Sequence, residues 1–363
     1  MPPAPLITVV IATYNRPDVL SHTLHSVLQQ TEQRWRLLLI GDHCDERTQA
    51  VVDTFDDPRI HYINLPARCG EQAGPNSVGL LLADSEYVAL LNHDDLWLPD
   101  HLQISLACLQ DSGAELCVAR AAFAHAHEDP AETDNRPRFT EANPVQRAMR
   151  HAYTGNPCMF EPCSAWLMRR ELISRVGAWR SGRQLYRTTL QDWLMRAWRA
   201  DARLCCSEPI SVIKFNTHHR VNALPTRQLA YTWGNREHDA VSELMSTVSL
   251  DALRTLINTD IQLSQADNPD MRDPFEMLRK PPSRLAAIAG RILLSRPAAW
   301  FYRLTGRDGF SLYARYWGNP RGSLLESLSR ARTGEAMPPT YDLTALLAHA
   351  QKELHHHARR QPQ

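Results

Sequence analysis

The stretch Leu6-Ile7-Thr8-Val9-Val10-Ile11-Ala12-Thr13-Tyr14-Asn15-Arg16-Pro17 decides the fold. Its β-branched run Ile7–Ala12 is apolar on both faces, which suits a strand buried on both sides of a sheet. The run is too short to span a bilayer, lacks a basic leader and passes directly into polar residues, so it reads as a first strand and not as a signal peptide. From Asp18 to Gln30, the residues Val19, Leu20, Leu24, Val27 and Leu28 share one helical face. Arg36-Leu37-Leu38-Leu39-Ile40 then repeats the buried-strand pattern, which completes a βαβ unit.

The alternation continues outward from that unit. A helix is expected near Glu46 to Phe55, a short strand at Ile60 to Leu65, a helix at Asn76 to Ala83 and a strand at Tyr87 to Leu91. This order predicts a doubly wound α/β sheet over roughly the first 120 residues. His125 to Pro144 is polar and aperiodic and reads as an exposed loop or mobile flap. Beyond it, Ser164–Met168 reads as a strand, Arg170–Val176 as a short helix, Leu190–Ala200 as an amphipathic helix and Ile210–Phe215 as a further strand. After about Tyr231 only helices broken by Pro and Gly are expected. A boundary near 225 therefore divides an α/β part, 1–225, from a helical C-terminal region, 226–363.

Composition excludes several classes. The 363 residues are 43% hydrophobic and 22% charged, as in an ordinary globular protein. Lys+Arg and Asp+Glu balance at 40 each, so bulk electrostatics gives no reason to expect a nucleic-acid partner. The eight cysteines show no C-x-x-C pairing and no regular spacing, so neither a zinc cluster nor a disulfide framework is expected, and reduced thiols in a cytoplasm are the default. No window reaches the ~18 uninterrupted apolar residues of a spanning helix.

In an open α/β sheet, ligands sit beyond the carboxyl ends of the strands. Thr13, Tyr14, Asn15 and Arg16 follow the first strand, Gly41, Asp42 and Asp45 the second, and Asn92, His93, Asp94 and Asp95 the Tyr87–Leu91 strand. Neither G-x-G-x-x-G nor the P-loop pattern occurs, so phosphate needs another counter-charge, and a nucleotidyltransferase is disfavoured. Adjacent carboxylates at a strand end can hold Mg²⁺ or Mn²⁺, which in turn grips a diphosphate. The plainer alternative is that they cap a helix starting near Pro99.

At this point the residues carry a resemblance. From Leu6 to about Phe215 the chain resembles a family 2 glycosyltransferase. Ile7–Pro17 resembles the family's opening strand and loop, Leu24–Thr31 its first helix, Gly41–Asp45 its base-reading turn and Leu90–Pro99 its metal-binding Asp-x-Asp region. The resemblance implies the GT-A fold, a doubly wound mixed sheet flanked by helices, here with the helical C-terminal region. It implies metal-dependent, inverting hexosyl transfer from a nucleotide-diphospho-sugar, a UDP-sugar favoured, to a hydroxyl of a glycan or lipid-linked acceptor. Bacterial envelope polysaccharide or lipopolysaccharide assembly would be the setting.

The same resemblance implies residue roles. Thr13, Tyr14, Asn15, Arg16, Asp42, Asn76 and Asn92 would bind nucleotide, with Tyr14 stacked on the base and Asp42 accepting from a base N–H. Asp94 would coordinate Mg²⁺ or Mn²⁺, with Asp95 divided between the metal shell and a helix cap, and His218 a late ligand. Asn92 and His93 stand where the family often has Asp, and Pro75 replaces an Arg, leaving Arg68 or Arg16, which otherwise read as solvated surface charges, as candidates for that diphosphate contact. Gln191-Asp192-Trp193 resembles the Glu-Asp-Trp segment of the catalytic base, which makes Asp192 the base; Thr189-x-x-Asp192 also fits a helix-capping pattern. Gly177–Arg180 resembles the acceptor-side segment, and Asn156–Cys163 is a further candidate lining of the acceptor cleft.

From Met277 to Arg307 there is no Asp or Glu, and basic residues intersperse Leu285, Trp300, Phe301 and Tyr302. Such a stretch either lies on anionic lipid at the inner face of the plasma membrane or packs its apolar face on the α/β part. His355-His356-His357 is a short tail tract with weak metal affinity. A non-catalytic sugar-nucleotide-binding or scaffold protein of the same fold is the alternative function, motivated by Pro75, Asn92 and His93.

Overall fold

In a computed structural model of the chain, the described residues are 4–125, 136–143, 162–186, 188–215, 227–267, 285, 296–307, 311, 315, 326, 336–338 and 340–360. The first half alternates β1 (Ile7–Thr13), α1 (Pro17–Leu28), β2 (Trp35–Gly41), α2 (Glu46–Asp53), β3 (Ile60–Asn64), α3 (Ala73–Leu82) and β4 (Tyr87–Asn92). β1 lies between β2 and β4, parallel to both, and β2 pairs parallel with β3. Ile7, Val9, Val10 and Ile11 are fully buried, as a strand apolar on both faces requires.

The chain continues with β5 (Leu96–Trp97), α4 (His101–Ser112), β6 (Leu116–His125), β7 (Arg138–Glu141), β8 (Trp166–Arg169), α5 (Arg170–Val176), α6 (Thr189–Arg199) and β9 (Leu204–Phe215). The sheet order is β3-β2-β1-β4-β8-β6-β9-β5, with β7 on β6. β8 is antiparallel to β4 and β6, while β9 runs parallel to β6. The result is the GT-A doubly wound mixed sheet flanked by helices.

Two features differ from the sequence expectation. β6 is a long inner strand that its alanine-rich sequence does not signal; packing between β8 and β9 overrides weak local preference. Part of the expected loop at 125–144 is strand β7, paired with β6. Phe139 is buried, the Arg136 guanidinium forks onto Asp260 at 2.7 and 2.8 Å, and Asn143 bonds Ala121 N and Ala119 O. Tertiary contacts thus impose order where local polarity suggests none.

The C-terminal region contributes α7 (Arg227–Thr247), α8 (Leu250–Asp267), α9 (Arg296–Thr305) and α10 (Leu343–Arg360). Val241, Leu253, Ile257 and Ile261 share a core with Leu96, Ala122, Phe139 and Ile213. Leu346 and Ala350 share another with Ile40, Ile63 and Val78. The boundary expected near 225 lies outside the described residues, but α7, α8 and α10 beyond it share cores with the sheet.

Helix α3 approaches the sheet closely at Gly79, where a Cβ would collide with the Val10 side chain. Gly79→Ala should therefore cost about 1–3 kcal/mol by overpacking, read as a lower urea midpoint at unchanged slope. An unchanged midpoint would show that this contact has slack.

Candidate active site

The turn after β4 is held from several sides. Asp95 is 1% exposed, and its Oδ2 accepts from Lys214 Nζ at 2.5 Å, from the Ser164 hydroxyl and from Asn92 Nδ2 at 3.0 Å. Lys214, near the end of β9, is itself buried; burial disfavours its charge, yet Asp95 and Asp94 raise its pKa above the ordinary value. Thr23 of α1 donates to the carbonyls of His93 and Asp95 at 2.9 and 3.0 Å. Asp95 is therefore no helix cap: Asp100 occupies the N-cap position of α4. The Asp95 Oδ2 is committed to a buried ion pair instead.

Asp94 is partly exposed. Burial would raise its pKa, but the charges of His93, Lys214, Arg16 and His238 overcome that and hold it at about 2. His238 of α7 donates from Nε2 to the Asp94 carbonyl at 2.8 Å and stacks on Phe215 with centroids 3.6 Å apart. A hard divalent cation fits this donor set, since such ions take one or two carboxylates and complete their shell with phosphate and water oxygens. Asp94 offers an ionised carboxylate, and Asp95 Oδ1 is buried with no hydrogen-bond partner among the described residues. His218 lies outside the described residues.

The ends of β1 and β2 meet this turn. Tyr14 N donates to His93 Nδ1 at 3.2 Å, and the Thr13 hydroxyl lies 3.0 Å from the same nitrogen. Asn15 adopts a left-handed conformation (φ 44°), and its Oδ1 accepts from Asp45 N at 2.8 Å. Its side chain therefore braces the second loop, and Asp45 caps α2. The Arg68 guanidinium stands 4.5 Å from the centre of the Tyr14 ring, a cation–π distance. Asp42 accepts from Cys69 N at 2.5 Å and Gly70 N at 2.9 Å; burial nevertheless pushes its carboxyl pKa up. Gly70 has φ 77° and abuts Pro338, a position open only to glycine. Asn76 is buried in α3.

The 177–182 segment is fixed to the same framework. Glu71 takes Gly182 N at 2.7 Å and the Ser181 hydroxyl, and Ser77 Oγ accepts from Trp179 N at 3.0 Å. Helix α6 begins with a capping box formed by Thr188 and Gln191, so Asp192 is not the cap that the sequence allowed. Its Oδ2 accepts from Arg196 Nε at 2.8 Å, while Oδ1 has the looser Arg180 contact at 3.5 Å. Arg196 also donates to the carbonyls of Val176 and Ala178, tying Asp192 to the 176–178 turn. Most of Asn156–Cys163 lies outside the described residues.

The structure thus gathers Thr13, Tyr14, Arg16, Asp94 and Asp95 into one neighbourhood, with Asn92 beneath and Asp42 at the next strand end. Sequence reasoning missed Lys214, His238, Glu71 and Arg196. Their partners are distant in sequence or have no motif, and only the i,i+4 pair Asp192/Arg196 left a local signal.

A mixed α/β sheet with polar loops and a carboxylate turn at its strand ends is the arrangement of the GT-A class. The family described as Glycosyl transferase family 2 matches residues 8–177, a little under half of the chain, and this part of the chain is similar to that family. Among curated relatives, the putative teichuronic acid biosynthesis glycosyltransferase TuaG of Bacillus subtilis is 31% identical over 109 residues, 30% of this chain and 43% of that protein. The putative colanic acid biosynthesis glycosyl transferase WcaA of Escherichia coli is 34% identical over 106 residues, 28% of this chain and 37% of that protein. The chain thus spans under half the length of these relatives. Among solved structures, residues 1–349 of Staphylococcus aureus TarS align with TM-score 0.48 and 15% identity, covering 91% of this chain and 92% of that one.

Two outcomes test the site's electrostatics. Lys214→Met strands the Asp95 carboxylate and should cost about 3–5 kcal/mol in urea unfolding, with partial recovery on adding Asp95→Asn; a smaller loss would mean that Ser164 and Asn92 suffice. Asp94 has a folded pKa of about 2 against about 3.9 unfolded, so in metal-free protein its stabilising contribution is present above the higher value and lost as pH falls toward the lower. Asp94→Asn should flatten the stability–pH curve across that window.

Proposed function

We propose that this chain is a metal-dependent inverting glycosyltransferase that moves a sugar from a nucleotide-diphospho-sugar, a UDP-sugar, to a hydroxyl of a glycan or lipid-linked acceptor in envelope polysaccharide assembly. The observation that carries the reading is the ionised, partly exposed Asp94 beside Arg16 and the Tyr14 loop. Tyr14 offers its ring to the base, with Asp42 and Asn76 on the base side and Arg68 and Arg16 as counter-charges to the diphosphate. Asp94, with Asp95 Oδ1 behind it, would hold Mg²⁺ or Mn²⁺, which when bound neutralises charge on the leaving diphosphate. Asp192 accepts the acceptor hydroxyl's proton on Oδ1 as that oxygen attacks the anomeric carbon and the bond to the diphosphate breaks. Arg196 keeps Oδ2 occupied and the carboxylate aimed.

A relative's name supports the substrate class: WfgD of E. coli, a UDP-Glc:alpha-D-GlcNAc-diphosphoundecaprenol beta-1,3-glucosyltransferase, is 29% identical over 104 residues, 29% of this chain and 41% of that protein. In this reading residues 1–225 carry the chemistry and 226–363 buttress it and meet the membrane. No described helix is long and apolar enough to cross a bilayer. Helix α9 buries Tyr302 against Trp198 of α6 yet leaves Trp300, Phe301 and Leu304 at 59%, 49% and 76% exposure. With the basic, acid-free 277–307 sequence around it, that face suits an anionic leaflet carrying a lipid-linked acceptor.

Thermal stabilisation by UDP with Mn²⁺, absent for Asp94→Ala, is the first test; at a hundredfold excess over Kd it should amount to about 2.7 kcal/mol. No stabilisation by UDP, GDP, dTDP or CMP in folded protein would favour a scaffold. Asp192→Asn should lower turnover at least ~100-fold while leaving UDP binding intact. Sedimentation with phosphatidylglycerol vesicles should fall when Trp300, Phe301 and Leu304 are changed to Ser, with UDP binding unchanged; equal sedimentation would remove the membrane from the reading.

A further inference from the structure

Three thiols that look unrelated in sequence converge away from the donor loops. Cys117 on β6 and Cys205 on β9 are paired in register across the parallel strands, and Cys108 reaches them from α4, which covers that face. One sulfur from each lies within 4.8 Å of the other two. Cys117 and Cys205 are buried and Cys108 is half-buried, so the cluster has an approach from solvent beside α4.

We propose that Cys108, Cys117 and Cys205 form a binding site for a thiophilic d¹⁰ cation, with Zn²⁺ as the ion the geometry fits. Zinc holds sulfur at about 2.3 Å, which places tetrahedral sulfurs about 3.8 Å apart. The cluster therefore needs a contraction of no more than about 1 Å, within reach of side-chain rotation on Cys108. Three sulfurs leave the fourth position for water entering on the Cys108 side. Binding releases thiol protons to solvent and makes no redox change, because Zn²⁺ keeps its oxidation state. Irregular spacing concealed this site, since its ligands come one each from a helix and two strands.

Occupancy would staple α4 to β6 and β9, the latter being the strand that carries Lys214 to Asp95. The role is structural and independent of the transferase reading. Because His355-His356-His357 is a competing ligand tract, the test uses the full chain with those three residues changed to Ala, kept reduced and stripped of metal. Titration with Co²⁺ should give one equivalent bound with a thiolate-to-metal charge-transfer band in the near ultraviolet. Zn²⁺ should displace it and raise the melting temperature by several degrees.

The band should vanish in Cys108→Ser, whose half-exposed position spares the fold, and in Cys205→Ser, and persist in the neighbouring Cys206→Ser. Circular dichroism identifies any variant that fails to fold, and Cys108→Ala is then the substitute. A folded, reduced parent with no band, or a band that survives loss of Cys108 and of Cys205, overturns the proposal. UDP binding is read in the same samples, so failure of the donor site is seen separately.

Discussion

The buried ion pair between Lys214 and Asp95 is the constraint on which the rest of the site depends. A carboxylate that is 1% exposed and an ammonium that is almost as deeply buried lie in surroundings where each alone would be strongly destabilised. Together, with Ser164 and Asn92 on the same oxygen, they fix the turn after β4 to strands from the far half of the sheet. The sheet must therefore close through β9 before the acidic turn has its geometry. Asp94 can then stand partly exposed and ionised, because the positive charge behind it is supplied by the fold and need not be recruited from solvent.

A second framework runs through the loop after β3. Its consecutive residues touch different parts of the site: Arg68 faces the Tyr14 ring, Cys69 and Gly70 bond Asp42, and Glu71 bonds Ser181 and Gly182. Met337 and Pro338 press on Gly70 from outside. The C-terminal region is thus part of the α/β core at two ends, through α10 beside β3 and through α7 and α8 beside β9. His238 extends that contact to the backbone of Asp94 itself.

What was legible in the sequence follows from the range of the forces involved. Strand β1, apolar on both faces, and the polar loops at strand ends announce themselves within a dozen residues, and the β1–β4 layout follows from that pattern. Tyr14, Asp42 and Asp94 stand out as candidates because they sit in short polar loops at strand ends. Lys214 was not, since it meets Asp95 across 119 residues and reads locally as one charge in an apolar strand. Strand β6 was missed because alanine-rich sequence carries little β signal, and β7 because Phe139 is buried only by elements much later in the chain. Both capping expectations placed the cap on the wrong residue: Asp100 starts α4, and Thr188 with Gln191 starts α6, which leaves Asp95 and Asp192 for other work.

The departure at Asn92 has its own physical logic. The position is adjacent to two carboxylates, and one buried lysine lies behind them. An Asp there would add a third negative charge and could only accept hydrogen bonds. The amide does both jobs the place requires, donating from Nδ2 to Asp95 at 3.0 Å and accepting at Oδ1 from the Cys163 thiol at 3.2 Å. Neutrality at Asn92 and the cation at Lys214 are therefore matched. A carboxylate restored at 92 would compete for the charge that keeps Asp95 buried, and the turn would have to open toward solvent or bind a cation more tightly to hold its shape.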